Sequence, residues 1–151
     1  MNVLSTALVQ KEEKGGRVYY TINWSALRKA EKYDIQKFVP AMAGVYELYY
    51  KDTKDPGAGL RLFHYGKAWL GGLRAVIREL TDPILLKQRP ELLAVVSKHE
   101  CYYRFVHCSS LPDMEDILHW IAVSCKHAEK EFPSSGRYKD IRVKEIDAPA
   151  G

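Results

Sequence analysis

Side chains that can transfer a proton or bind a negatively charged group occur in two short segments and at one position after them. The first segment is Gly44–Tyr46 (GVY), the second is His64–Ala68 (HYGKA), and Arg74 follows Gly66 by eight residues. They supply a phenol, an imidazole, an amine and a guanidinium. Cleavage of a phosphodiester needs a base to activate water, positive charge on the phosphate and usually a metal ion. These segments contain candidates for the first two roles.

The positive charge of the chain is concentrated around these segments. The net charge is +4, and between Arg61 and Arg104 eight basic residues face four acidic ones, so the whole excess lies in the middle of the chain. Such a region can attract phosphates. A solvated helix face would give the same count, and the sequence leaves both interpretations open.

Composition indicates one ordinary globular domain. The chain has 151 residues, 46% of them apolar, which suits a single core. Its longest apolar runs are far shorter than the roughly 20 residues of a membrane-spanning helix, and its start lacks the pattern of a secretory signal. We therefore expect a cytoplasmic protein. The three cysteines show no C-x-x-C spacing, so neither a disulfide framework nor a zinc site is expected.

The first half of the chain has the pattern of strands. Residues 17–22 form a β-branched and aromatic run that predicts a strand, and Asn23 is a candidate cap for a short helix that runs through Leu27 to about Tyr33. Strands are predicted over 45–50 and 60–65, joined by the turn-rich loop 51–59 as an antiparallel hairpin.

The second half alternates helices and strands. Apolar residues recur at helical spacing from Trp69 to Leu80, and another helix is predicted over 90–98. A strand follows over 101–107. Ser110 is a helix start, and the helix it begins is predicted to run toward Phe132. An edge strand is expected over 138–146. Trp69 and Trp120 could stack bases, but their spacing favours the core.

This order defines an α+β fold with a small central antiparallel sheet, built from a hairpin, a helix, a strand and a helix, and flanked by helices. Residues 1–39 are expected to form a strand-helix extension packed on this core. The core itself is predicted to span residues 40–146, and residues 147–151 to form a frayed tail.

The motif residues within this order resemble the GIY-YIG nuclease superfamily. Gly44-Val45-Tyr46 and His64-Tyr65-Gly66 match its two tripeptides, Arg74 matches its helix arginine, and Gly66-Lys67-Ala68 is similar to the branch of the excision-repair incision subunit. His64 replaces the usual first tyrosine of the second tripeptide. The resemblance covers roughly residues 40–133.

The resemblance implies a role for each matched residue. Tyr46 takes the position of a phenol that acts as or supports the base, and His64 would share that task. Arg74 would face the scissile phosphate, and Lys67 would lower the pKa of a neighbouring phenol. Beside them, Tyr65 and Arg78 are predicted to contact the nucleic acid, since Arg78 lies one helical turn after Arg74.

The metal position of the family is where this sequence departs most. The family has a glutamate on a later helix, and the best match here is His119, with Glu115 four residues earlier on the same face. Imidazole is a poorer ligand than carboxylate for Mg²⁺. Glu115 could replace the glutamate of the family and hold Mg²⁺, or Glu115 and His119 together could bind the softer Mn²⁺. A packing or surface role for His119, with no metal site, is the open alternative.

Two functions follow from the resemblance. The first is a metal-dependent endonuclease that hydrolyses phosphodiester bonds in DNA. The alternative is a catalytically degenerate domain of the same fold that binds nucleic acid or protein. A nucleophile at Cys101 or Cys108, paired with His107 or His99, is disfavoured, because a thiol and an adjacent imidazole on one strand point to opposite faces.

Overall fold

A computed structural model describes residues 7–55, 57, 59–125 and 132–148. Its elements in chain order are β1 (Val9–Lys14), β2 (Arg17–Asn23), β3 (Arg28–Lys29), α1 (Lys32–Phe38), β4 (Gly44–Lys51), β5 (Leu60–Ala68), α2 (Gly72–Leu80), a 3-10 turn (Pro83–Leu85), α3 (Pro90–Lys98), β6 (Glu100–His107), α4 (Leu111–Ser124) and β7 (Asp140–Ile146). The α+β class is confirmed.

The central sheet has the strand order β3-β6-β4-β5, and every neighbouring pair is antiparallel. The predicted hairpin forms from β4 and β5, although β5 continues three residues beyond its predicted end, to Ala68. Helix α3 has its predicted bounds, and β6 begins one residue earlier than predicted. The alternating and helical patterns of the sequence are therefore sufficient to find the elements that carry the motif.

A second sheet joins the two ends of the described chain, in the order β1-β2-β7. Strands β1 and β2 form a hairpin that turns at Gly15 and Gly16, both with positive φ, and β7 pairs in parallel with β2. Strand β1 was not predicted, because its charged sequence VQKEEK has only one β-branched residue, Val9, and no aromatic one. The predicted edge strand is confirmed but begins at Asp140.

The predicted helix, capped by Asn23 and running through Leu27 to about Tyr33, is wrong. The segment after β2 is extended because its backbone is bound to strands: Ser25 donates to Phe105 O at 2.9 Å, and Ser25 Oγ accepts from Phe105 N at 2.9 Å. The helix of this region is α1, which starts at Lys32. The first residue of the predicted tail is also bound, since Arg104 Nη1 donates to Asp147 Oδ1 at 2.8 Å.

Two apolar cores lie on opposite faces of the central sheet. The first contains Tyr46, Leu48 and Phe105 of the sheet with residues of α1, α2 and α3. The second contains Val45 and Val106 with α4 and β2. Because successive side chains of a strand point to opposite faces, the residues of β4 and β5 alternate between the two layers, except at the irregularity after Leu48 where the register shifts. No helix in the described ranges is long and apolar enough to cross a membrane.

Helix α4 begins as predicted, at the cap Ser110, whose Oγ accepts from Asp113 N at 3.3 Å. It ends at Ser124, and the part of the predicted helix that falls on residues 126–131 lies outside the described residues.

Replacing this cap should weaken the fold. Ser110→Ala leaves the Asp113 N–H without its acceptor, and we expect it to lower the free energy of unfolding by about 1 kcal/mol in urea denaturation. Ser109→Ala, at the exposed neighbouring serine, is the matched control and should change it by less than about 0.5 kcal/mol. Equal losses for the two variants would contradict the capping role.

Candidate functional site

Tyr46 and His64 form a hydrogen-bonded pair on one face of the β4–β5 hairpin. Tyr46 lies opposite Gly66 and His64 lies opposite Leu48, so the strand register places both side chains on the same face. Tyr46 Oη is 3.2 Å from His64 Nε2. A Cβ atom at residue 66 would lie 2.7 Å from Tyr46 Oη, which explains the glycine there. The structure thus joins the two residues predicted to act together on the proton.

Burial makes this pair neutral. Tyr46 is only 4% exposed, and burial raises the pKa of its phenol far above the usual range; the Arg89 charge opposes this shift and the Glu79 charge adds to it. Burial and, secondarily, the Arg89 charge lower the pKa of His64 to about 4. At neutral pH the site therefore contains a phenol and an uncharged imidazole. The phenol would first have to lose its proton, and an imidazole with a lowered pKa is a weaker base than a free one.

Arg74 is directed to a different partner. Its Nε donates to the carbonyl of Val39 at 2.8 Å, just after α1, and its backbone N–H donates to Pro40 O at 3.1 Å. Arg78, one turn on, lines a cleft shared with Lys32 and Ile35 of α1. The two arginines therefore lie on the flank of α2 that faces α1, whereas the charges acting on Tyr46 and His64 come from Arg89 and Glu79.

Lys67 and Tyr65 occupy the other face of β5. Lys67 lies opposite Val45 and is exposed. Tyr65 is only 6% exposed, and its ring packs 5.1 Å from that of Phe132 in the second core. A side chain so buried cannot stack on a base, so the predicted nucleic-acid contact of Tyr65 is not available in this structure. The alternation of the strand separates both residues from Tyr46.

Glu115 and His119 lie on α4, across the central sheet from Tyr46 and His64. His119 Nδ1 is 2.9 Å from Phe132 O, so this nitrogen carries the proton and donates it to the carbonyl. Within the described ranges, no three His, Cys, Asp or Glu side chains are grouped to hold a metal ion. Glu115 and His119 therefore do not form one site with the Tyr46–His64 pair, and no metal-dependent step can be derived from them.

The sequence patterns missed an exposed apolar surface where β5 ends. Trp69 is 45% exposed, Leu70 86% and Met42 39%, and we call these three residues the Trp69 surface. Trp69 was expected in the core and Leu70 in the α2 stripe. Gly71 and Gly72 both have positive φ, so the chain turns here and α2 starts at Gly72. The adjacent glycines were the signal that this helix starts after Leu70.

The turn that carries the Trp69 surface packs against the segment before β4. A Cβ atom at Gly72 would lie 2.7 Å from the carbonyl carbon of Ala41, and Leu73 N donates to Met42 O at 2.8 Å. The backbone of the turn therefore packs directly against the segment before β4. Trp69 and Leu70 are presented on a fixed support, with Lys67 two residues before Trp69.

Comparison with known proteins identifies a family without naming an activity. A family model described as "Uncharacterised protein" matches residues 8–149, which includes both sheets and all four helices. No curated protein and no solved structure matches the chain.

The neutral state of His64 makes the fold sensitive to acid. Its pKa is about 4 in the folded protein against about 6.5 when unfolded. Between these values the unfolded chain binds more protons, so stability should fall as the pH drops from 6.5 to 4, by about 2–3 kcal/mol in total.

The change should be measured as the free energy of unfolding between pH 7 and pH 4.5 for the wild type and for His64→Gln. The variant should lose this part of the pH dependence, and the NMR signals of the His64 ring should stay those of the neutral form down to about pH 5. Titration of His64 near pH 6.5 would contradict the burial argument.

Proposed function

We propose that this protein binds nucleic acid without cleaving it. It belongs to the family of uncharacterised proteins whose model covers residues 8–149. The Trp69 surface is the proposed contact, and the observation that carries the proposal is the exposure of Trp69 and Leu70 on a rigid turn beside Lys67. The motif resemblance to GIY-YIG domains supplies the ligand class. A cytoplasmic location is part of the same proposal.

An exposed indole on a fixed backbone suits an unpaired base. Stacking of one base on an aromatic side chain is worth about 1–3 kcal/mol and is tolerant of sequence. Trp69 has nearly half of its surface free for this contact, and Leu70, 86% exposed, adds apolar area beside it. Since the Gly71–Gly72 turn is packed against Ala41 and Met42, little conformational entropy is lost on binding.

The charge around the surface favours a polyanion. Two segments meet here, residues 38–46 and 67–78, and neither contains an acidic residue. Their cations closest in sequence to the surface are Lys67 and Arg74, since Arg78 lies in the cleft toward α1. Lys67 lies just before Trp69, and Arg74 donates its backbone N–H to Pro40, two residues before Met42. A nucleic-acid backbone laid across Trp69 would meet cations without carboxylates from these segments.

The arrangement of the motif residues supports binding over cleavage. Efficient hydrolysis needs base, cation and metal ligand aligned on one phosphate. Here the Tyr46–His64 pair is buried and neutral, Lys67 lies on the opposite face of β5, and Arg74 Nε is bonded to Val39 O.

The proposal can be tested by fluorescence anisotropy with a labelled single-stranded oligonucleotide, as DNA and as RNA. We expect salt-dependent binding by the wild type. Trp69→Ala should weaken binding about 5- to 150-fold through the lost stacking. Lys67→Met should reduce the slope of the log binding constant against log salt concentration by about one phosphate contact.

Tyr33→Ala is the matched control, because Tyr33 is an aromatic residue 79% exposed on α1. This variant should bind like the wild type. Binding that is absent in the wild type, or that Trp69→Ala leaves unchanged, would reject the Trp69 surface as a nucleic-acid contact.

A metal-dependent endonuclease is the second candidate, favoured by the 3.2 Å contact between Tyr46 and His64. Supercoiled plasmid incubated with Mg²⁺ or Mn²⁺ separates the two. Under the proposed function neither the wild type nor Arg74→Ala nicks the plasmid. Nicking by the wild type that Arg74→Ala abolishes would establish the nuclease instead.

A further inference from the structure

A small polar cleft lies between α1 and α2, on the far flank of α2 from the Tyr46–His64 pair. It encloses about 220 Å³. Its polar walls are Arg78, Lys32, Thr81 and Asp82, and its apolar walls include Ile35 and Pro83. This volume is below the range of about 300–1,000 Å³ typical of sites for drug-sized ligands, so it suits a small molecule.

The guanidinium of Arg78 is incompletely bonded within the described chain. Its Nε is buried and has no hydrogen-bond partner among the described residues. A buried donor without an acceptor costs about 1–3 kcal/mol, and more when the donor is charged, so native structures seldom keep one unless a ligand or water completes it. Arg78 also lines the cleft, where an acceptor can approach its guanidinium.

The other polar groups of the cleft define the chemistry of that acceptor. Lys32 supplies a second cation at its rim. Thr81 Oγ donates to Ile77 O at 2.7 Å, and Asp82 Oδ1 accepts from Ile84 N at 2.9 Å, so both side chains have their local bond and retain lone pairs. The cleft thus presents donors to an anion and acceptors to a hydroxyl.

From these groups we infer that the cleft is a binding site for a small oxyanion that carries a hydroxyl, with hydrogen phosphate as the simplest example. The Arg78 guanidinium donates to the oxyanion, Lys32 adds positive charge, and Asp82 or Thr81 accepts from the hydroxyl. The site is separate from the Trp69 surface and does not depend on the function proposed for it.

The test is thermal unfolding and isothermal titration of the full chain with inorganic phosphate, against sodium chloride at equal ionic strength. The wild type should show saturable binding and a Tm that rises with phosphate. Arg78→Met keeps much of the apolar stem but removes the donors, and it should lose both. Arg78→Lys should weaken binding about tenfold or more, because an ammonium cannot reproduce the planar set of guanidinium donors.

Arg142→Met is the matched control, since Arg142 is an exposed arginine on β7. It should keep the phosphate-dependent rise. Circular dichroism of Arg78→Met without phosphate checks folding, and removal of an unpartnered buried donor should leave its Tm at or above that of the wild type.

Two results would overturn the inference: a phosphate effect that Arg78→Met retains, and no phosphate effect in the wild type. In the second case, loss of oligonucleotide binding in Arg78→Met would assign Arg78 to the nucleic-acid backbone. Failure of the nucleic-acid proposal is seen separately, as oligonucleotide binding that is absent in the wild type or unchanged in Trp69→Ala.

Discussion

The alternation of side chains along β4 and β5 is the constraint on which the arrangement of this protein depends. Both faces of this hairpin are covered, one by α1, α2 and α3 and the other by α4. A shift of one residue in register would move every side chain to the wrong layer. Tyr46 and His64 meet because they share a face. Lys67, next to Gly66 in sequence, cannot join them because it lies on the other.

Helix α2 divides the remaining polar residues in a similar way. Leu73 and Ile77 fix one stripe of the helix in the first core, so residues on either side of that stripe face different neighbours. Arg74 and Arg78 lie toward α1, and Glu79 acts on the Tyr46–His64 pair. Residues with the spacing of one catalytic site thus form a buried pair and a polar cleft. The exposed apolar surface lies before the first turn of the helix.

Local sequence patterns were sufficient for the elements and insufficient for the site. The hairpin, α3, β6 and the cap of α4 follow from alternation, helical spacing and turn residues, which act over a few positions. The helix predicted near Leu27 was wrong because Ser25 bonds to Phe105, eighty positions away in sequence. Whether Tyr46, Arg74 and His119 converge depends on the layer that covers each face of the sheet, and no spacing within one segment encodes that layer.

The parallel pairing of β2 with β7 sets the order in which the protein can be completed during synthesis. Arg17 pairs with Asp140 and Asn23 with Ile146, so β2 leaves the ribosome long before its partner exists. Helix α4, which packs on Val18, Tyr20 and Ile22, precedes β7 in the chain and can cover them first. Contacts between such distant segments form slowly. Until β7 is translated, the backbone edge of β2 has no partner on that side, so a chain that stalls before it leaves this edge open to pairing with another chain.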